Sequence, residues 1–351
     1  MKIPDVSLPL WRDLYEAALR FKHLRPWETL YDSDIFGIRD PETGDTGYAC
    51  VLGELGEVFA LCVYRGAEGF EVHRKMQSEE LDPERDDLLP MQNCLMAEFT
   101  DREYLEKADF QVIKKLGLSF RGSNAWPRLR SYLPGYFPWH LTEPEVRFLS
   151  LALDCACDVT KKVASGSLSL NDRSGQHLVY FQKSGAEALK RGSTKCRTRW
   201  EAPPVYRPQP PEPFRFEDSN IQAVKSLDLR PDSPWEADCF YLHTPIMDRD
   251  RPYLTRVAMV AHRASGYVFH ATIVGPEYSL QQVLGQTILD SIRQHHLIPS
   301  AIYLRDDALA VLLLPLGKAL GIPMKPERRL DSIQTAKRSF ENRMRSTESR
   351  S

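Results

Sequence analysis

Apolar side chains recur at helical spacing over residues 10–22: Leu10, Leu14, Ala17, Ala18 and Phe21 fall on one face and predict a helix. The pattern then shortens. Residues 34–40, 48–52 and 58–64 are short apolar runs, and the turn-rich segments 41–47 and 53–57 separate them. This predicts strands, the last two as a hairpin. A helix is expected over 68–78, an exposed acidic loop over 79–90, a strand over 94–100 and a helix over 103–116. At 142–145, Thr-Glu-Pro-Glu puts a hydroxyl first, proline in the first turn and glutamate third. That is a capping box, and the helix it opens is expected to run to about residue 163.

The last third alternates more regularly. Strands are expected at 238–242, 254–262 and 267–274, with Ala264-Ser265-Gly266 turning between the second and third. A helix at 278–295 follows, then a strand at 301–304. A helix at 307–320 stops at Gly321, then come a strand at 322–325 and a basic helix at 331–345. Three strands in direct succession form an antiparallel meander. Strands reached through helices add in parallel. The order β-β-β-α-β-α-β-α is that of the ribonuclease H-like fold.

Between these patterned regions the composition changes. Residues 190–199 hold five basic groups, and 203–213 hold six prolines, which favours an extended spacer. The reading is therefore an α+β module over 1–165, a mixed sheet with a hairpin and flanking helices. A basic and proline-rich connector over 166–215 follows. An α/β, ribonuclease H-like three-layer module with a basic C-terminal helix occupies 216–351.

Charge narrows the function classes only slightly. The first 150 residues carry 26 Asp and Glu against 18 Lys and Arg, and the rest is mildly basic. So weak an asymmetry does not make the strong basic patch of a typical nucleic-acid binder. Seven cysteines, an odd number and mostly among apolar neighbours, read as reduced buried thiols. The N-terminal residues lack a signal-peptide core, and no apolar run approaches the roughly 20 residues of a membrane helix. A cytoplasmic protein without a membrane partner is expected. There is no P-loop, Gly-x-Gly-x-x-Gly, Gly-x-Ser-x-Gly or His-Glu-x-x-His motif.

Two groups of residues are candidates for chemistry. Residues 117–141 place aromatic rings among Arg121, Asn124, Trp126, Arg128 and Arg130. Such a set makes a platform on which bases stack and arginines hold phosphates or carboxylates. The alternative is that Trp126, Tyr132, Phe137 and Trp139 anchor a strand and loop to the hairpin sheet, and this is the favoured reading. His295-His296 are assigned to a helix terminus.

The second group carries a resemblance. Trp235-Glu236-Ala237-Asp238, residues 251–274 and Tyr303-Leu304-Arg305-Asp306-Asp307 resemble the catalytic cores of retroviral integrases and transposases over roughly residues 235–345. Glu341 follows Asp306 with 34 residues between. The resemblance implies Asp238, Asp306 and Glu341 as catalytic carboxylates, with Asp238 and Asp306 as Mg²⁺ ligands of a nuclease or strand-transfer enzyme. The chain departs from that pattern. Asp307-Ala308 stands where the family has Asn-Gly, and the glycine-rich approach to the third carboxylate is absent. Asp306 or Asp307 then reads as a helix cap, Asp238 as an edge-strand residue and Glu341 as a solvated helix face. The whole chain also resembles an uncharacterised bacterial two-domain family, through residues 26–66 and 120–142 and the C-terminal features. The expectation is a non-catalytic binding or recognition protein with a nucleic acid or protein partner and no cofactor. The alternative is a Mg²⁺-dependent nuclease.

Overall fold

The computed structural model describes residues 4–81, 88–170, 175–182, 196–208, 210–247 and 250–348. The chain divides into two compact units, residues 1–207 with 248–252, and residues 208–247 with 253–351.

The first unit begins with α1 (Leu8–Leu24), followed by β1 (Phe36–Arg39), β2 (Thr46–Leu52) and β3 (Phe59–Arg65). Next come α2 (Gly66–Gln77), β4 (Cys94–Thr100), α3 (Lys107–Leu116), β5 (Trp126–Tyr132) and α4 (Glu143–Ala164). The unit closes with β6 (His177–Gln182) and β7 (Cys196–Glu201). The seven strands form one sheet in the order β5-β4-β3-β2-β1-β6-β7. All neighbours are antiparallel except β1 and β6, which run parallel with Ile38 opposite Tyr180.

The central strands are apolar on both faces because both are covered. Ala49, Val51, Leu61, Val63, Leu95 and Ala97 join the core beneath α1 and α4. Their alternates Tyr48, Cys50, Cys62, Tyr64 and Cys94 pack with Phe70 of α2 on the other face. A continuous apolar strand is the signature of such two-sided burial. Gly47 lets α4 come close, since a Cβ there would lie 2.7 Å from Phe148. The Thr142–Glu145 capping box of α4 is present.

Residues 166–215, expected as a connector, contribute β6 and β7 to this sheet. The expected end at residue 165 leaves out two strands that the hydrogen bonding includes. Residues 190–195 of the basic run lie outside the described residues, and Arg197 and Arg199 sit on edge strand β7.

The second unit holds α5 (Asp218–Lys225), β8 (Arg230–Asp232), β9 (Trp235–Ile246), β10 (Tyr253–His262) and β11 (Val268–Val274). After them come α6 (Leu280–His295), β12 (Leu297–Pro299), β13 (Ile302–Leu304), α7 (Asp307–Leu320), β14 (Met324–Pro326) and α8 (Asp331–Glu348). The main sheet runs β11-β10-β9-β13-β14, and β8 and β12 pair separately. The first three strands of the main sheet are antiparallel, and β13 and β14 are parallel additions. Trp235, Ala237 and Cys239 face the core shared with α6 and α7. Phe240 and Leu242, on the opposite face of β9, pack with Leu330 and Ile333 at the start of α8. Glu236 and Asp238 share that face by the two-residue period of a strand. Gly285 of α6 accommodates the ring of Phe214, which a Cβ would meet at 2.4 Å.

The observed class is thus mixed α and β in both units. Among the described residues, no helix is long and apolar enough to cross a membrane.

Candidate functional site

Asp238 lies on central strand β9, which corrects its expected place on an edge. It is only 8% exposed. Strand β13 pairs in parallel with β9, Leu304 opposite Ala237, so the next residue, Arg305, arrives beside Asp238. Its Nη1 lies 3.4 Å from Asp238 Oδ1 and donates to the Cys239 carbonyl at 3.0 Å. Its Nε lies 3.3 Å from Asp306 Oδ2. The other Asp306 oxygen accepts the Leu309 N–H at 2.8 Å and caps α7, as a short carboxylate at that position is suited to do.

Burial pushes the Asp238 carboxyl up to about 6. Arg305, the Cys239 N–H and Lys337 of α8 oppose that shift, and Asp306 adds to it. Glu341 is a half-exposed residue of α8, one turn beyond Lys337. Among the described residues, no three His, Cys, Asp or Glu side chains form a group able to hold a metal ion. Two Mg²⁺ ions need several hard oxygens turned into one cleft. Here a guanidinium lies against both aspartates, and one Asp306 oxygen serves a helix. This donor set does not fit a two-metal centre.

Sequence reasoning passed over Glu236. Its Oε2 accepts the N–H groups of Ser332 at 2.9 Å and Ile333 at 3.2 Å, at the N-terminus of α8. A carboxylate there satisfies otherwise unpaired donors and complements the helix dipole. Burial raises the Glu236 carboxyl, and the two N–H groups pull against it. The available signal was the two-residue spacing to Asp238, which puts both acids on one strand face.

The five residues of the 121–130 segment separate into different environments. Arg130 is 2% exposed and grips Asp109 of α3 through two bonds of 2.8 and 2.7 Å. Glu106 lies 3.2 Å from the same guanidinium and 3.2 Å from His140 Nε2. His140 and, after the opposing cost of burial, Arg130 hold the Glu106 carboxyl down at about 2. Since Glu106 and Asp109 form the capping box of α3, this network fastens the helix to β5. Arg128 pairs with Glu98 on β4 at 3.0 Å. Asn124 adopts the left-handed conformation (φ 51°), donates its N–H to Asp101 and accepts from Lys22 Nζ through its carbonyl. Trp139 is buried and pairs with Ser131 through the backbone.

Arg121 and Trp126 remain together. They line an open cleft of about 820 Å³ with Arg102, Phe110 and Phe120. Both phenylalanine rings meet Trp126 edge-on, Phe120 at 5.5 Å and Phe110 at 5.8 Å between centroids. The Arg102 guanidinium lies 5.2 Å from the centre of Phe110 and 6.0 Å from that of Trp126.

His295 and His296 do mark a helix end, where His296 takes the left-handed cap with φ 53°. All seven cysteines are free, and Cys196 is the half-buried one.

Comparison with known proteins agrees with the division of the chain. Residues 11–180 match the family model described as Domain of unknown function (DUF7309). Residues 220–341 match the one described as Domain of unknown function (DUF6930). No curated protein matches the chain, and no solved structure does. The chain is therefore similar to two successive domains of unknown function, as expected of an uncharacterised two-domain family.

Proposed function

We propose that this is a non-catalytic recognition protein. Its second unit uses a ribonuclease H-like arrangement of strands as a scaffold, and its first unit offers the binding surface. The strand order of the second unit, a three-stranded meander extended by two parallel strands, supports the scaffold reading. The observation that carries the non-catalytic reading is the Arg305 guanidinium within 3.4 Å of both Asp238 and Asp306. A fixed cation there neutralises the carboxylates that metal ions would need. We place the protein in the cytoplasm.

Calorimetry with Mg²⁺ and Mn²⁺ tests this reading on the wild type and Asp238→Ala, with cleavage of single-stranded and duplex DNA and RNA followed in parallel. The expected result is no metal heat that depends on Asp238 and no cleavage. Metal binding and cleavage that both disappear in Asp238→Ala would overturn the reading in favour of a nuclease using Asp238, Asp306 and Glu341.

A further inference from the structure

We infer that the cleft at Trp126 binds a nucleotide unit, its base against the aromatic wall and its phosphate at the arginine rim. The inference rests on the recognition reading and gives it a ligand class.

The cleft is built before any ligand arrives. Trp126 opens β5, Phe110 comes from α3 and Phe120 from the loop between them. Their edge-on contacts fix the three rings relative to one another. The loop that carries Arg121 is pinned to Asp101 at the rim and to Lys22 of α1. The Asn124 N–H donates to Asp101 Oδ1 at 2.7 Å, and the Asn124 carbonyl accepts from Lys22 at 2.5 Å. Gly122 at φ 97° and Asn124 at φ 51° give this loop its turn. Arg121, Gly122 and Ser123 are exposed and line the cleft.

Among the described residues, the two arginines of the rim have no carboxylate within 4 Å. Arg65, Arg128, Arg130 and Arg147 in this unit each hold a glutamate or aspartate within 4 Å. Among the described residues, neither Arg102 nor Arg121 does. Arg102 instead rests on aromatic faces, where a guanidinium keeps its N–H donors free for an oxyanion.

The rest of the lining narrows the ligand. Asp101 and Glu103 share the rim, so a bare anion would meet carboxylates as well as arginines. A purely apolar ligand would leave the charged rim without a counterpart. A nucleotide offers what each part of the cleft can use: a flat π-surface, one phosphate and sugar hydroxyls that donate to Glu103. The volume of about 820 Å³ is in the range of small-ligand sites. A free mononucleotide and one residue of a single strand present the same chemistry.

The test uses the intact chain. Calorimetry with AMP, UMP and inorganic phosphate is run beside fluorescence anisotropy with labelled single-stranded oligouridylate and oligodeoxythymidylate. Wild type is compared with Arg121→Glu, Arg102→Ala and Trp126→Phe. Arg121 is exposed, so the melting temperature of Arg121→Glu should match the wild type. The expected result is binding of at least one nucleotide source, weakened about tenfold or more by Arg121→Glu and less by Trp126→Phe. Oligonucleotides that bind more tightly than mononucleotides would identify a single strand as the source. Equal affinity would identify the free nucleotide. No binding from either source, or binding that Arg121→Glu leaves intact, overturns the inference. If that happens without metal-dependent cleavage, the recognition reading survives and only the ligand class falls. Cleavage that requires Asp238 would sink the recognition reading itself.

Discussion

Arg305 Nη1 lies 3.4 Å from Asp238 Oδ1 because β13 runs parallel to β9 in a register that delivers the two residues side by side. Replacing Arg305 by Ala removes the cation that most opposes the upward shift of the Asp238 carboxyl. The Asp238 titration should then move further up in an NMR experiment on carboxyl carbons. Arg305 is about half exposed, so water screens part of the interaction. The loss of stability in urea should be modest, about 1–2 kcal/mol.

Asp238 binds its proton more tightly in the folded chain, at about 6 against 3.8 ordinarily. The folded state therefore takes up protons first as pH falls. The contribution of this group is fully favourable below about pH 4 and is lost as pH rises through 6. Asp238→Asn should be the more stable protein at pH 7. The gap has an upper value near 3 kcal/mol, at ~1.4 kcal/mol for each tenfold gain in proton affinity between 3.8 and about 6. It should close between pH 6 and pH 4. Denaturant unfolding of both proteins across that range is the measurement, and a gap independent of pH would contradict the assignment.

Glu236 joins β9 to the first turn of α8 through two N–H bonds. Glu236→Ala leaves these donors without their acceptor and should destabilise the second unit by about 2 kcal/mol. Hydrogen exchange at the Ser332 and Ile333 amides should accelerate. Glu236→Gln, which keeps an acceptor oxygen, should fall between the two.

Two arginines nine positions apart should behave oppositely. Arg130→Ala breaks a buried pair and leaves Asp109 uncompensated, which costs about 3–5 kcal/mol. Arg121→Ala, on the exposed rim, should stay within about 0.5 kcal/mol of wild type. Thermal melting of the two variants separates structural from binding roles within one short segment.

Glu106 titrates in the direction opposite to Asp238. Its carboxyl is depressed to about 2 from 4.5, so its contribution is present above pH 4.5 and disappears as pH falls through 2. Glu106→Gln should remove that acid limb from the unfolding profile of the first unit. An unchanged profile would show that the contacts of Glu106 with His140 and Arg130 add nothing to stability.

Most elements of the second unit were legible because their apolar runs are long and their stops are chemically distinct, whereas the short α5, β8 and β12 were not read. The helix expected at 307–320 occupies Asp307–Leu320, and Gly321 closes it at φ 72°. Strand β7 was hidden for the opposite reason. Its sequence Cys-Arg-Thr-Arg-Trp-Glu has the charge of a solvated run, which is what an edge strand with little buried surface looks like. Strand β5 was expected as a strand anchored by its aromatics, but the place of its arginines was hidden, since Arg130 becomes an internal residue only after Asp109 arrives from another element. The same limit applied to the candidate sites. Sequence placed Arg121 and Trp126 in one segment, but Arg102 and Phe110 reach them only through the fold. Carboxylate spacing suggested a trio, while the counter-cation Arg305, adjacent to Asp306, went unweighed.

The parallel pairing of β1 with β6 decides where the chain can be cut. A fragment ending at residue 165 would keep every helix among the described residues of the first unit yet strip β1 of one neighbour, opening the backbone at Gly37 and Ile38. A freshly bared, apolar strand border is a template for other chains, so such a fragment should precipitate or self-associate. A fragment carried to residue 207 keeps β6 and the arginine-bearing β7 as its outer margin. The charged strand residues Arg197 and Arg199 then stand at that margin, where charge disfavours pairing with another chain.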